Sequence, residues 1–285
     1  MTTHCVLACI DGSNSSPAVC DYSAWASRQL QAPLTLLHVL NHEPSPAQRN
    51  LSGNIGLGSR EHLLNELADL DEKRAKLMRE QGSLLLEAAM ERVRQAGATE
   101  PASRQRHGAL VDTLAELEAD IRLLVIGRQG EIGDSLGDHI GTHLKNVIRT
   151  MHRPILVTAG EFRPPRSVML AFDNGPSTRK GVEMIAASPL FRGLPIHLVM
   201  VGADTNDAWE SVRAAQHQLE QKGFEVQATI RAGDVEKVLL AYEEEQDIDM
   251  IVMGAYGHSR VRRFFVGSTT TNILAHARRP LLLLR

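Results

Sequence analysis

The chain contains the same run of local features twice, in the same order. Each copy opens with an apolar segment that ends in an aspartate, at residues 6–11 and 168–173. Each copy closes with Arg-Pro and a second apolar run, at residues 153–157 and 279–284. An internal repeat of this kind means that one supersecondary framework is built twice, so we interpret the chain as a tandem duplication.

Within each copy, short apolar segments alternate with helical patterns. The segments at 34–39 and 196–201 follow amphipathic helical patterns at 16–31 and 177–188. This alternation is typical of parallel strands joined by right-handed crossovers, with helices on both faces of the sheet. The sequence therefore predicts an α/β protein made of two tandem doubly wound parallel-sheet domains, which is a Rossmann-like architecture.

The segment between the copies sets the predicted domain boundary. Residues 160–165 end in two adjacent prolines, which suit neither a helix nor a central strand. We therefore predict domains at 1–160 and 161–285. The first domain is longer because of extra sequence from residue 42 to about residue 71, where a glycine-rich run predicts a mobile loop. A charged helix over 61–96 is expected to follow, with a break at Gly82.

Composition narrows the class of protein. Hydrophobic residues make up 43% and charged residues 23% of the chain, which is ordinary for a globular protein. The formal net charge of −3 offers no general attraction to nucleic acid or anionic membranes, and we expect neither partner. The amino end has no leader-like pattern, and no apolar run is long enough to span a bilayer. Three cysteines without a Cys-x-x-Cys pair are typical of a reducing compartment, so we expect a cytoplasmic protein.

A glycine pattern near the carboxyl end predicts a phosphate-binding loop. The apolar run 250–253 leads into Gly254, Gly257 and Gly267, and Ser268 opens a helical pattern. Glycine reaches positive φ at little cost and lets backbone N–H groups approach an anion, while a helix amino end adds unpaired N–H groups and a positive dipole. In doubly wound sheets, ligands bind at the carboxyl ends of strands, where this loop is expected to lie.

The strand-ending aspartate, Gly-x-x-Gly, nine residues and Gly-Ser within a duplicated α/β unit resemble the universal stress protein family in its tandem two-domain form. The resemblance covers essentially the whole chain. It implies an adenine-nucleotide-binding fold that holds ATP, with or without Mg²⁺, as a regulatory ligand in a stress response. It also implies that the segments at 155–157 and 281–284 pair across a pseudo-twofold interface, and that two chains associate further as a homodimer.

The resemblance assigns roles to individual residues. The aspartate lies near the adenosine, Val201 offers backbone groups to the base, and the glycine loop with Gly-Ser surrounds the ribose and phosphates. The implied nucleotide-binding residues are Asp173, Val201, Gly254, Gly257, Gly267, Ser268, Thr269 and Thr270.

The first copy departs from this pattern, and we predict a degenerate nucleotide site there. The matching residues are Asp11, Gly127, Gly130, Gly141 and Thr142. Ten residues rather than nine separate the second and third glycines, and Leu144 stands where the other copy has Thr270. Residues 128–140 carry one arginine against three acids, a net charge of −2, whereas 255–266 carry three arginines. A triphosphate would be repelled by one loop and attracted by the other, so we expect one nucleotide per chain.

Several alternatives stay open at this stage. We expect no catalytic residue and no metal site, because His139 and His143 lack a third ligand and no Gly-x-Ser-x-Gly elbow follows a strand. Slow ATP hydrolysis or self-phosphorylation at Ser268 is one alternative function, and a nucleotide-free scaffold for an unknown protein partner is another. Asp173 also has a purely structural interpretation, in which it caps the following helix.

Overall fold

The computed structural model describes residues 4–40, 57–130, 142–255 and 268–284. The described strands are β1 Cys5–Cys9, β2 Leu34–Leu40, β3 Ala102–His107, β4 Ile121–Gly127, β5 Ile155–Thr158, β6 Val168–Ala171, β7 Ile196–Val201, β8 Val226–Arg231, β9 Met250–Gly254 and β10 Leu281–Leu284. The described α-helices are α1 Ser16–Leu30, α2 Leu57–Gln95, α3 Leu110–Leu117, α4 Thr142–Thr150, α5 Pro176–Ala187, α6 Asn206–Glu220, α7 Val235–Glu245 and α8 Ser268–His276.

The strands form one sheet in the order β3-β2-β1-β4-β5-β10-β9-β6-β7-β8. Strands are parallel within each half of this order, and both halves have the same topology. The predicted tandem doubly wound fold is thus confirmed. The halves meet where β5 and β10 run antiparallel, with Leu156 opposite Leu282. This is the strand pairing that the family resemblance implied.

The hydrophobic core forms two layers, one on each face of the sheet. One layer lies beneath α1, α2, α5 and α6, and the other beneath α3, α4, α7 and α8. Alternate residues of a strand point to opposite faces, so Leu156 and Leu282 enter the first layer while Ile155 and Leu283 enter the second. Both layers contain residues of both halves, and the two repeats therefore share both core layers.

Helix α2 runs unbroken over 39 residues, so the predicted break at Gly82 is wrong. Gly82 is buried in the helix because the helix passes close to the sheet at this point. A Cβ at Gly82 would lie 2.6 Å from Nε2 of Gln105 and 2.7 Å from Cδ2 of His38. Glycine is therefore required here for close approach and not to end the helix. Most of the glycine-rich run at 52–58, where we predicted a mobile loop, lies outside the described residues.

The matching helix in the second half, α6, is much shorter, with 15 residues. It begins where it does because the Thr205 side chain accepts a hydrogen bond from the Ala208 N–H at 3.2 Å, which caps the amino end. The residues of α2 that join the core layer lie between Leu85 and Val93, in the carboxyl-terminal part of this helix. None of the helices in the described part of the chain has the length and apolar character needed to cross a membrane.

Candidate functional site

The order of the strands reverses at two places along the carboxyl edge of the sheet, between β1 and β4 and between β6 and β9. Asp11 follows β1 and Gly127 ends β4, while Asp173 follows β6 and Gly254 ends β9. Each predicted aspartate and the first glycine of its own repeat therefore lie at the carboxyl ends of two paired strands. We call the β1/β4 site the first crevice and the β6/β9 site the second crevice. Ligands of doubly wound sheets bind at such reversal points.

Asp173 fixes the turn that enters the second crevice. Its Oδ1 atom accepts hydrogen bonds from the N–H of Gly175 at 2.8 Å and from the hydroxyl of Thr178 at 2.7 Å. The structural interpretation of this residue is thus correct in part, because the carboxylate organises the start of α5. Asp173 is nevertheless exposed at the mouth of the crevice, so its carboxylate is held rigidly where a ligand would enter.

The other predicted residues of the second crevice differ in accessibility. Val201 ends β7 and Gly254 ends β9, both half-buried, and Ser268 is the exposed first residue of α8, followed by half-buried Thr269. Thr270 is buried, and its hydroxyl donates to the carbonyl of Ala255 at 3.4 Å. That hydroxyl therefore holds the end of β9 against α8. Two further predicted residues, Gly257 and Gly267, lie outside the described residues.

In the first crevice, the protein itself packs against the aspartate. Oδ1 of Asp11 accepts hydrogen bonds from the Ser13 N–H at 3.0 Å, the Ser13 hydroxyl at 2.6 Å and the Ser16 hydroxyl at 3.2 Å. The segment after β4 closes on this turn, since a Cβ at Gly130 would lie 3.1 Å from Asp11 Oδ2. The Ser13 hydroxyl also lies 3.4 Å from the carbonyl of Gln129.

The remaining first-copy residues are only partly described. Thr142 is the first residue of α4, and His143 is exposed on the same helix. Gly141 and His139 lie outside the described residues. Leu144 is the first-repeat residue that matches Thr270, and it is a buried residue of α4.

Arg128 changes the charge comparison between the two loops. The sequence places it in the first loop as the single cation among three acids. Its Nη1 instead lies 2.7 Å from the carbonyl oxygen of Ala277 and 3.3 Å from that of Ala275, at the carboxyl end of α8 in the other half. A cation is stabilised there by the negative end of the helix dipole. The formal net charge of −2 for residues 128–140 is unchanged, but its one cation lies against the carboxyl end of α8 in the second half.

Burial makes the thiols poor nucleophiles. Desolvation raises the pKa of Cys9 to about 12, with a further contribution from the charge of Asp11. Desolvation also raises the pKa of Cys20 to about 12 and that of Cys5 above its ordinary value. All three cysteines are free. Among the described residues, no group of three His, Cys, Asp or Glu side chains is arranged to hold a metal ion.

Comparisons with known proteins agree with the repeat and its topology. The model of the universal stress protein family matches residues 3–159 and 203–285. The universal stress protein Slr1230 of Synechocystis is 34% identical over 284 residues, which cover 98% of this chain and 99% of the relative. A crystal structure of a universal stress protein from Archaeoglobus fulgidus superposes with a TM-score of 0.68 at 18% identity, covering 98% of this chain and 95% of the other. The chain belongs to the universal stress protein family.

Proposed function

We propose that the chain is a stress-response regulator that binds ATP in the second crevice. The observation that carries this proposal is the meeting of Asp173, the end of β9 at Gly254 and the amino end of α8 at one reversal of strand order. The first turn of α8 offers unpaired backbone N–H groups to an anion, and its dipole favours negative charge. The exposed hydroxyl of Ser268 adds a donor at the same place.

The residue types between β9 and α8 also suit a triphosphate. Three arginines lie in this part of the sequence and none of its residues is acidic. Guanidinium groups bind phosphate oxygens in a bidentate manner. Mg²⁺, where it takes part, would come with the nucleotide and be held mainly by phosphate oxygens, since Mg²⁺ is usually bound through substrate phosphates and few carboxylates. Asp173, which follows β6, would supply a carboxylate for that purpose.

One nucleotide per chain is the expected stoichiometry. In the first crevice, the segment after β4 packs on the Asp11 turn, and Arg128 is turned away to the other half. In the sequence, the other charged residues of 128–140 are three acids, which would repel a triphosphate. We assign the first repeat, residues 1–160, a structural role and the second, residues 161–285, the binding role. The unpaired cysteines support a reducing, cytoplasmic setting.

The test is calorimetric titration of the full-length protein with ATP, using Asp173→Ala and Asp11→Ala as a matched pair. Each variant removes a carboxylate that organises the same strand-to-helix turn in its own repeat. We expect a stoichiometry near one for the wild type, a loss of affinity of at least about tenfold in Asp173→Ala, and little change in Asp11→Ala. A stoichiometry near two, or the reverse response of the two variants, would refute the proposal.

Two further measurements separate the alternative functions. Mass spectrometry of small molecules released from the denatured, purified protein should detect an adenine nucleotide, which a nucleotide-free scaffold would lack. A timed assay of ADP formation should show negligible turnover. Radiolabel transferred from ATP to the wild type but not to Ser268→Ala would instead establish self-phosphorylation at Ser268.

A further inference from the structure

An apolar cavity lies at the junction of the two repeats, where α1 ends and where β4 and β5 begin. Its volume is about 240 Å³. Its larger apolar lining residues come from both repeats and all except Met184 are buried; they are Leu30, Leu123, Met184, Leu190, Phe191 and Leu282. None of the described residues of the two crevices lines it. The cavity is therefore separate from the proposed nucleotide site.

An extra segment of the second repeat forms one wall of this cavity. Pro33 and Pro195 are equivalent, since the carbonyl of each accepts an N–H from the first strand of its own repeat. Nineteen positions separate Pro195 from Pro176, at the start of α5, but only 16 separate Pro33 from Pro17, at the start of α1. The additional length contains the short 3₁₀ helix Pro189–Phe191, which packs against α1. Part of the wall thus has no counterpart in the first repeat.

A second, basic cavity adjoins the apolar one. Its volume is about 250 Å³, and it is lined by His4, Gln31, Ala32, Arg122 and Arg153. Arg122 also lines the apolar cavity, so it stands where the two spaces meet. Among the described residues that line either cavity, none is acidic. Each space is smaller than a typical pocket of roughly 300 to 1,000 Å³, so the pair suits a small ligand with one apolar end and one anionic end.

The two arginines are held in place by backbone carbonyls. Nη1 of Arg122 donates to the carbonyl of Leu30 at 3.0 Å, and Nε of Arg153 donates to the carbonyl of Glu118 at 3.2 Å. Within the described ranges, neither arginine forms an ion pair with a carboxylate. A guanidinium carries five N–H donors, so Arg122 keeps donors and an uncompensated charge for a ligand. A planar carboxylate matches the fork of such a group.

We propose that these two cavities bind a medium-chain alkanoate, with its chain against Leu190 and Phe191 and its carboxylate on Arg122. Burial of the chain supplies most of the affinity, since the cavity that receives it is lined by apolar side chains. Arg122 is exposed, so the ion pair contributes little affinity and mainly selects an anion over a cation. The chain touches both repeats, and the bound ligand therefore stabilises their junction by mass action.

The test is calorimetric titration of the full-length protein with butanoate, hexanoate, octanoate and octylammonium, all below the concentrations at which they form micelles. Affinity should rise about fourfold for each added methylene group between butanoate and octanoate, as expected for transfer of the chain out of water. Octylammonium has the same chain with the opposite charge and should bind at least about fivefold more weakly than octanoate. Saturating ATP should leave the octanoate affinity unchanged, because the two sites share no described residue.

Two pairs of variants assign the site. Arg122→Gln should weaken octanoate about threefold and reduce the preference over octylammonium. Arg192→Gln is its control, because Arg192 is another exposed arginine, next to the 3₁₀ helix, that lines neither cavity. Ala187→Trp adds a large side chain at an exposed lining position and should weaken octanoate at least about tenfold. Glu183→Trp, at an exposed position of α5 that does not line the cavity, should leave the affinity unchanged.

Several results would overturn the proposal. These are an absence of octanoate binding, an affinity that does not depend on chain length, and equal binding of octanoate and octylammonium. Binding that is unchanged in both Arg122→Gln and Ala187→Trp would place the ligand elsewhere on the protein. Displacement of octanoate by ATP would place it in the nucleotide site. Circular dichroism and thermal unfolding of each variant check that a lost affinity does not come from a lost fold.

Discussion

Arg128→Ala should destabilise the whole molecule, although Arg128 lies on a loop beside the first crevice. The change removes a half-buried guanidinium whose Nη1 donates to the carbonyl of Ala277 at 2.7 Å and lies within 3.5 Å of two more carbonyls of α8. A hydrogen bond from a charged group contributes about 1.5 to 3 kcal/mol, and a cation at a helix carboxyl end about 0.3 to 1 kcal/mol. One short bond and two long ones share a single donor atom, so we expect a loss of about 2 kcal/mol.

Thermal unfolding of the full chain measures this loss. The entropy of unfolding is about 2.1 cal/mol/K per residue, and for 285 residues a loss of this size corresponds to a fall in Tm of about 3 °C. Urea unfolding should show a lower midpoint with an unchanged m value, because the fold and its buried area stay the same.

Two control variants separate the contact from a general charge effect. Arg128→Lys keeps a cation near α8 and should recover about half of the loss, because one ammonium can reach one carbonyl. Arg106→Ala removes an exposed arginine from β3 and should stay within about 0.5 kcal/mol of the wild type. If Arg128→Ala were no more destabilising than Arg106→Ala, the contact between Arg128 and α8 would contribute nothing to the free energy of unfolding.

Other predictions concern packing, the buried carboxylate, pH and the thiols. Gly82→Ala should lower Tm although alanine favours helix by about 1 kcal/mol, because the new methyl group would lie 2.7 Å from the His38 ring; a rise in Tm would contradict this. Asp249→Ala should cost about 2 kcal/mol in urea unfolding, because the buried carboxylate accepts hydrogen bonds from the backbone N–H and the guanidinium of Arg166 at 2.9 Å and 3.3 Å. Burial lowers the pKa of His197 in the folded state, so the unfolded state binds a proton first as the pH falls below about 6.5; stability should drop there, and less steeply in His197→Gln. The buried thiol of Cys20 should react with a disulfide reagent at pH 8 only after unfolding, and rapid labelling of Cys20 in the native protein would contradict its burial.

The central strands were predictable because burial leaves a plain signal in the sequence. Strands such as β9 and β10 are covered on both faces and read as continuous apolar runs. The edge strands β3 and β8 were missed for the opposite reason. β3 has the sequence ASRQRH and is mostly exposed, so its position comes from pairing with β2 and not from its own residues.

Within the candidate site, the rule on strand ends predicted where Asp173 and Gly254 would meet, because topology alone decides it. The environment of the Thr270 hydroxyl was missed although the sequence contained a signal. The first repeat has Leu144 at the equivalent position, and a position that accepts leucine in a shared fold is one that faces the core. The sequence carried no such signal for the contact between Arg128 and α8, because that contact depends on how the second half is placed against the first.

Under the proposal of one nucleotide per chain, the contacts of the first repeat give it a structural role. In a repeat that holds no ligand, the segment after β4 can pack against Asp11. Arg128 of that segment can then contact the other half of the chain. It stabilises the carboxyl end of α8, whose amino end faces the second crevice. The β5–β10 pairing and the shared core layers place that helix firmly against the first half. The second crevice therefore depends on the first repeat for its rigidity, and a fragment that begins after β5 would lose this helix contact together with the strand partner of β10.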